Sequence, residues 1–203
     1  TPEGDPRDHI SAFDWERVTV LTGAQTLPDT QFGLVGGMKL DGKGRIYFTD
    51  LNNREIKYLD SKGTVHYYTI TQFYPKGLAI NRAKGDLFVG NFDSEATFGG
   101  RLFKFSGPTG DRMYIGSVQY FSMSLGYGHE VDITGVEFLP PKHLLIGDMV
   151  TNSIAILDTT VAEGSGDLIG HLTSQNLFTM PNTGYRINDM AVNAEKDLYV
   201  LAG

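Results

Sequence analysis

The 203-residue sequence contains no cysteine. That excludes disulfides, thiolate metal sites, covalent haem attachment of the c type and cysteine nucleophiles within the chain. No stretch approaches the roughly 20 apolar residues that a membrane-spanning helix needs. Positive charge is scarce: 17 Lys and Arg stand against 24 Asp and Glu, a formal net charge of -7. A nucleic-acid backbone, which wants clustered cations, is therefore not an expected partner. No run of like charge exceeds a few residues, so a charged disordered tail is not indicated. There is no Gly-x-Ser-x-Gly nucleophile elbow; the nearest approach, Gly164-Ser-Gly166, reads as a loop. No P-loop or dinucleotide fingerprint occurs, and no helical periodicity outlasts about two turns.

What the sequence does hold is a motif that returns four times. It reads Gly37-Met-Lys-Leu-Asp-Gly-Lys-Gly-Arg-Ile-Tyr-Phe-Thr-Asp50, then Gly77 to Asn91, Gly135 to Asp148, and Asp189 to Leu201. Each copy is a short apolar strand, a polar turn and a second apolar strand. The copies start 40, 58 and 54 residues apart. Strand-built repeats of that length predict an all-β fold, a β-propeller of four-stranded antiparallel blades. The 25 glycines suit such a turn-rich chain.

Residues 1–14, polar and with two prolines, read as an N-terminal arm. The unleadered start, with no initiator Met, reads as the exposed beginning of a processed, exported chain, so an extracytoplasmic location is expected. Residues 15–203 read as one propeller domain: an outer strand at 15–21, blades at about 37–70, 77–121 and 135–180, and a partial blade at 189–203. Within blade one the alternation predicts strands Gly37–Leu40, Ile46–Thr49, Glu55–Leu59 and Val65–Ile70, with Asp60-Ser-Lys-Gly63 as a hairpin turn. A blade cannot bury both faces alone. One orphan strand, three blades and a half blade therefore predict a longer native protein, six-bladed when complete.

Two segments carry a family likeness. Ile46-Tyr-Phe-Thr-Asp50-Leu-Asn-Asn53-Arg54-Glu-Ile56 resembles the core of an NHL repeat, and Asp148-Met-Val-Thr-Asn152-Ser-Ile154 resembles it with the Arg lost. The chain is similar overall to NHL propellers and to the wider senescence-marker/gluconolactonase-like six-bladed propellers. Asp50 and Asp148 end an apolar strand, where a carboxylate accepts N–H groups of the following turn. Asn52, Asn53 and Asn152 suit left-handed backbone. The same recurring position also suggests a ring of oxygen ligands for calcium, to which Asp50, Asn91 and Asp148 would contribute if they pointed into the channel. The resemblance to lactonase-type propellers implies a channel calcium ion whose ligands stand just before an innermost strand. Those positions are Gly36, Lys76, Thr134 and Asn188, of which Asn188, beside Asp189, resembles a ligand. Lys76 puts a cation near the mouth and opposes one.

Two loops stand out as recognition surfaces. Phe92-Asp93-Ser-Glu95-Ala-Thr-Phe98-Gly-Gly100 is acidic with two aromatics, and Tyr127-Gly-His129-Glu130-Val-Asp132 gathers titratable groups. Phe92, Asp93, Glu95, Phe98, Tyr127 and His129 are the expected ligand- or partner-binding residues. No complete catalytic set is present. The expectation is thus a non-catalytic extracytoplasmic binding or assembly module for a protein partner, another ligand or itself. A calcium-dependent lactonase or esterase with its site in the central channel is the alternative. A structural subunit pairing through an open sheet edge is the third reading.

Overall fold

The computed structural model describes residues 33–71, 73–91, 101–106, 111–117, 133–149, 152–160, 168–172 and 186–202. The expected arm, the strand at 15–21 and both recognition loops lie outside the described residues. Among the described residues, fourteen strands form four antiparallel sheets. Sheet one orders β1 (Val35–Leu40), β2 (Ile46–Asp50), β3 (Glu55–Leu59) and β4 (Val65–Ile70). Sheet two orders β5 (Pro75–Asn81), β6 (Asp86–Asn91), β7 (Arg101–Ser106) and β8 (Asp111–Ser117). Sheet three orders β9 (Ile133–Leu139), β10 (His143–Asp148), β11 (Ser153–Asp158) and β12 (Leu168–Leu172). The fourth sheet pairs β13 (Ile187–Val192) with β14 (Leu198–Ala202).

Polar residues at fixed places make the turns between first and second strands. Asp41 Oδ1 accepts the N–H groups of Lys43 and Arg45 at 2.7 and 2.8 Å. Asn81 Oδ1 accepts Ala83 N–H at 3.1 Å, and Asn193 Oδ1 accepts Asp197 N–H at 2.7 Å. A short side-chain acceptor thus ties back a hairpin whose later residue, Gly44 or Gly85, takes a positive φ that glycine adopts without strain.

The first strands begin ahead of the repeat motif, at Val35, Pro75 and Ile133 where the copies start at Gly37, Gly77 and Gly135. The cause is a register shift near the start of each: between Val35 and Met38, Pro75 and Leu78, and Ile187 and Asp189 on the first strand, and opposite Gly147/Asp148 for β9. An irregular pair breaks the two-residue period that identifies a strand in sequence.

The sheets pack face to face, one blade's forward face on the next blade's back. Tyr47 and Ile56 of blade one cluster with Leu78, Ile80, Leu87, Val89 and Phe105 of blade two. Phe88 and Leu102 of blade two cluster with Val136, Phe138, Leu144 and Ile146 of blade three, and Phe88 stacks on Phe138 at 5.8 Å. Leu145 and Ile154 of blade three meet Ile187 and Met190 of the fourth sheet. Each fully buried aliphatic or aromatic side chain contributes about 1.5–3 kcal/mol, so these seams dominate the stability.

Glycine brings the inner strands together. A Cβ on Gly77 would lie 2.8 Å from Val136 Cγ2, and one on Gly37 2.7 Å from the Lys76 carbonyl oxygen. The inner strands therefore run side by side with equivalent residues level. Hydroxyls add bonds across the seams: Thr49 Oγ1 donates to the Lys76 carbonyl at 3.1 Å, and Thr134 Oγ1 to the Ile187 carbonyl. Four-stranded sheets stacked in this way, with β1, β5, β9 and β13 innermost, are the blades of a β-propeller.

Candidate functional site at the channel mouth

The inner strands begin at one end of the channel and finish at the other, and the two ends differ. Near the finishing end, Lys39 of β1 reaches past β5. Its ammonium lies 2.6 Å from Glu137 Oε2 on β9 and donates to the Met190 carbonyl of β13 at 3.1 Å. Both side chains are largely buried. One lysine thus ties blades one, three and four together.

The starting end is a mouth. The backbone irregularities place Gly36, Lys76, Thr134 and Asn188 there, with Asp189 beside the last. Lys76 is half-buried, Thr134 is buried, and Asn188 and Asp189 are exposed. Asp189 Oδ1 accepts the N–H of Met190 at 2.8 Å. A cation, an amide and a carboxylate therefore stand at the starts of the inner strands, beside Gly37, Gly77 and Gly135, which let those strands approach closely.

Asp50, Asn91 and Asp148 occupy one equivalent position. They end the second strands, opposite Val35, Pro75 and Ile133. In the fourth sheet the place falls to Ala202, opposite Ile187. The position belongs to the second strand of each blade, not the channel-lining first. Asp50 is fully buried and committed to protein donors. Oδ2 accepts from Gly33 N–H at 3.0 Å, Asn53 Nδ2 at 2.8 Å and Lys57 Nζ at 2.9 Å, and Oδ1 accepts Asn53 N–H at 3.1 Å. Burial alone would raise this carboxyl, but the Lys57 ammonium and the Gly33 and Asn53 donors outweigh it and hold it below the usual carboxylate range. Lys57 is in turn opposed by burial and held above the usual lysine range by Asp50 and Glu55.

This donor set does not fit a calcium shell. A cation already sits on Asp50, whose lone pairs are taken, and Asn188 stands apart on the inner strand of another blade. Among the described residues no group of three or more His, Asp or Glu side chains gathers as metal ligands. Asn91 is buried with its Oδ1 unpartnered, and the Asn152 side-chain oxygen is likewise without a partner.

The left-handed residues of the strand-linking turns are Arg54, at φ 54°, and Asn152, at φ 53°. Both lie four places beyond the strand-ending Asp, so Asn152 stands where Arg54 does. Asn53 instead hydrogen-bonds Asp50. The Arg54 guanidinium lies over the Tyr74 ring, 4.4 Å from its centroid, and donates to its hydroxyl at 2.7 Å. His66 stacks on its cross-strand partner Tyr58 at 4.8 Å and meets Asp60 Oδ2 at 2.9 Å. Phe92, Asp93, Glu95, Phe98, Tyr127 and His129 lie outside the described residues. Sequence reading missed Lys39, Glu137 and Lys57, charged residues inside apolar strands whose partners lie on other strands or blades.

No family model matches the sequence, and no curated protein matches it. Solved structures do. A catalytically inactive virginiamycin B lyase from Staphylococcus aureus, solved with quinupristin, aligns with TM-score 0.53 and 17% identity over 82% of this chain and 48% of its own. A gluconolactonase from Xanthomonas campestris aligns with TM-score 0.58 and 14% identity over 83% of this chain and 56% of its own. A further protein assigned as a gluconolactonase aligns with TM-score 0.60 and 16% identity over 83% and 57%. The chain thus spans about half the length of the structures it matches. At these identities the likeness establishes the propeller fold; it does not carry the NHL assignment.

Proposed function

We propose that this chain forms part of a propeller enzyme acting on a small molecule held over the channel mouth, with a cyclic ester as the favoured substrate class. The observation that carries this reading is the asymmetry of the channel. Lys39 and Glu137 pair between the inner strands toward one end, while Lys76, Asn188 and Asp189 stand at the strand starts toward the other. A carbonyl oxygen gains negative charge as water adds to a lactone, and Lys76 is a cation at that rim. The Asp189 carboxylate is the rim group able to take a proton from the attacking water. The similarity to two gluconolactonase-type structures and a virginiamycin B lyase supports a small-molecule enzyme on this fold.

The test is hydrolysis of a panel of γ- and δ-lactones by the native protein, alongside Lys76→Ala and Asp189→Ala. The reading expects turnover that both variants lose without a fall in melting temperature. Absence of turnover across the panel, or variants as active as the native protein, would overturn it.

A binding or assembly role is the second reading. It is favoured by apolar residues exposed at the two ends of the blade series. In that reading the loops bearing Phe92, Asp93, Glu95, Phe98, Tyr127 and His129 meet a protein partner in an extracytoplasmic setting, as the NHL-like segments suggest.

A further inference from the structure

The Lys76 main chain is seated on blade one at three points. A Cβ on Gly36 would lie 2.9 Å from Lys76 Cα, and one on Gly37 2.7 Å from the Lys76 carbonyl oxygen. These two glycines leave the space that the Lys76 peptide fills. The third point is a hydroxyl. The pairing of β1 with β2 breaks between Val35 and Met38, and inside that break Gly37 N–H donates to Thr49 Oγ1 at 2.8 Å. Thr49 Oγ1 in turn donates to the Lys76 carbonyl at 3.1 Å. Thr49 is fully buried. One hydroxyl therefore satisfies the irregular strand of blade one and fixes the peptide that carries the strand-start cation of blade two. The next seam is built differently. The residue before the strand-ending Asp50, Asn91 and Asp148 is Thr49 in blade one but Gly90 and Gly147 in blades two and three. Between blade three and the fourth sheet another threonine does the crossing: Thr134 Oγ1 donates to the carbonyl of Ile187, the residue before Asn188. Hydroxyls thus cross to the strand starts that bear Lys76 and the Asn188–Asp189 pair.

We propose that Thr49 is a positioning residue for Lys76: by holding the Lys76 peptide against blade one, its hydroxyl sets where the ammonium stands at the channel mouth. The inference rests on the reading of Lys76 as the cation that meets the developing oxyanion of a cyclic ester. Such a group acts well only when it is in place before charge develops. A misplacement of roughly 1 Å costs about 10²-fold in rate. Lysine carries its charge on a flexible four-carbon stem, so the fixed part of the arrangement is the main chain beneath it. Thr49 touches no substrate; it acts through the Lys76 carbonyl. Valine has the shape of threonine without the hydroxyl. Thr49→Val therefore keeps the seam filled while it takes the partner from both Gly37 N–H and the Lys76 carbonyl. Thr49→Ser keeps the hydroxyl and loses the methyl group.

The experiment compares the native protein with Thr49→Val, Thr49→Ser and Thr134→Val in two measurements, each well below the melting temperature. The first is steady-state hydrolysis of the lactones that the native protein turns over. Thr49→Val should lower kcat about 10-fold with KM little changed, the pattern of an interaction made in the transition state, and Thr49→Ser should restore it. Equal kcat in native protein and Thr49→Val, or equal losses in Thr49→Val and Thr49→Ser, overturns the positioning role and leaves the hydrolase reading standing. The second measurement reads Lys76 without turnover. It is competitive acetylation by acetic anhydride, with the rate at half-buried Lys76 normalised to that at exposed Lys43. With its peptide released, Lys76 should react about threefold faster or more in Thr49→Val. It should react at the native rate in Thr49→Ser and in Thr134→Val, which removes a hydroxyl from a different seam. A Lys76 rate that is unchanged or slower in Thr49→Val, or raised as much by Thr134→Val, overturns the proposal. If the native protein hydrolyses no lactone, the hydrolase reading falls and the acetylation rates alone decide the role of Thr49. Thr49→Ala takes the place of Thr49→Val in both measurements if the valine variant does not fold.

Discussion

The Lys57 ammonium sits 2.9 Å from Asp50 Oδ2 and 3.0 Å from Glu55 Oε2, bridging two carboxylates inside blade one. A strand-ending aspartate that recurs along the sequence suggests a metal ligand. In blade one it is instead the counter-ion of a buried lysine and the acceptor that closes the next turn. At the equivalent place of blade two the aspartate becomes Asn91, and the residue in register with Lys57 becomes Phe103. The charge and its partner are absent together, as expected where an unpaired buried charge is costly.

Replacing Asp50 with Ala removes one of the two carboxylates on Lys57 and orphans the Gly33 and Asn53 donors. The expected loss is about 3 kcal/mol, the low end for breaking a buried pair. Urea denaturation measures it, and a loss no larger than an ordinary surface substitution would show that the bridge contributes little.

Stability should fall in acid by a calculable sign. The folded-state carboxyls of Asp50 and Asp41 lie below the usual range, and Asp60 is brought to about 2, chiefly by its hydrogen bond to His66. A depressed carboxyl contributes stability that is fully present above its unfolded value, about 3.9, and is lost as pH falls through the lower folded value. Melting temperature should therefore hold near neutrality and decline below about pH 4. The Asp50→Asn variant should start lower and show a shallower acid decline.

Gly90 is held small by the next blade. A Cβ there would lie 2.2 Å from Ile133 Cγ2. Gly90→Ala should cost about 1–3 kcal/mol through overpacking of the seam. At Gly42 an added Cβ would meet just the Arg82 carbonyl oxygen, at 3.6 Å, so Gly42→Ala is the near-neutral control. Thermal melts of the pair separate seam packing from loss of glycine freedom.

Asn152 combines a left-handed backbone with a side-chain oxygen that has no partner. Glycine relieves both. Because glycine also frees the unfolded chain, Asn152→Gly is expected to change stability by no more than about 0.5 kcal/mol, measured by denaturant midpoint at unchanged slope.

The repeats were legible because each pairs an apolar strand with a short polar turn, and those local signals coincide with β1–β2, β5–β6, β9–β10 and β13–β14. The irregularities at the strand starts were not, because they disturb the alternation that marks a strand. Residue preference assigns left-handed backbone to Asn52, Asn53 and Asn152; Asn152 takes it, but in blade one Arg54 does, since Asn53 is held in the turn by Asp50. The channel residues were the least visible. Lys39 and Glu137 are 98 residues apart, and nothing local to either indicates that one faces the other. The strand-start positions were legible, but not the Lys39–Glu137 pair farther along the inner strands.

The account rests on inner strands of separate blades converging on one channel, and a double-mutant cycle on Lys39→Met and Glu137→Gln tests that most directly. Urea denaturation of the four proteins should give a coupling energy of about 1 kcal/mol or more, as expected for residues in direct contact. Additive losses would place the two side chains apart and contradict the convergence of blades one and three on a common axis.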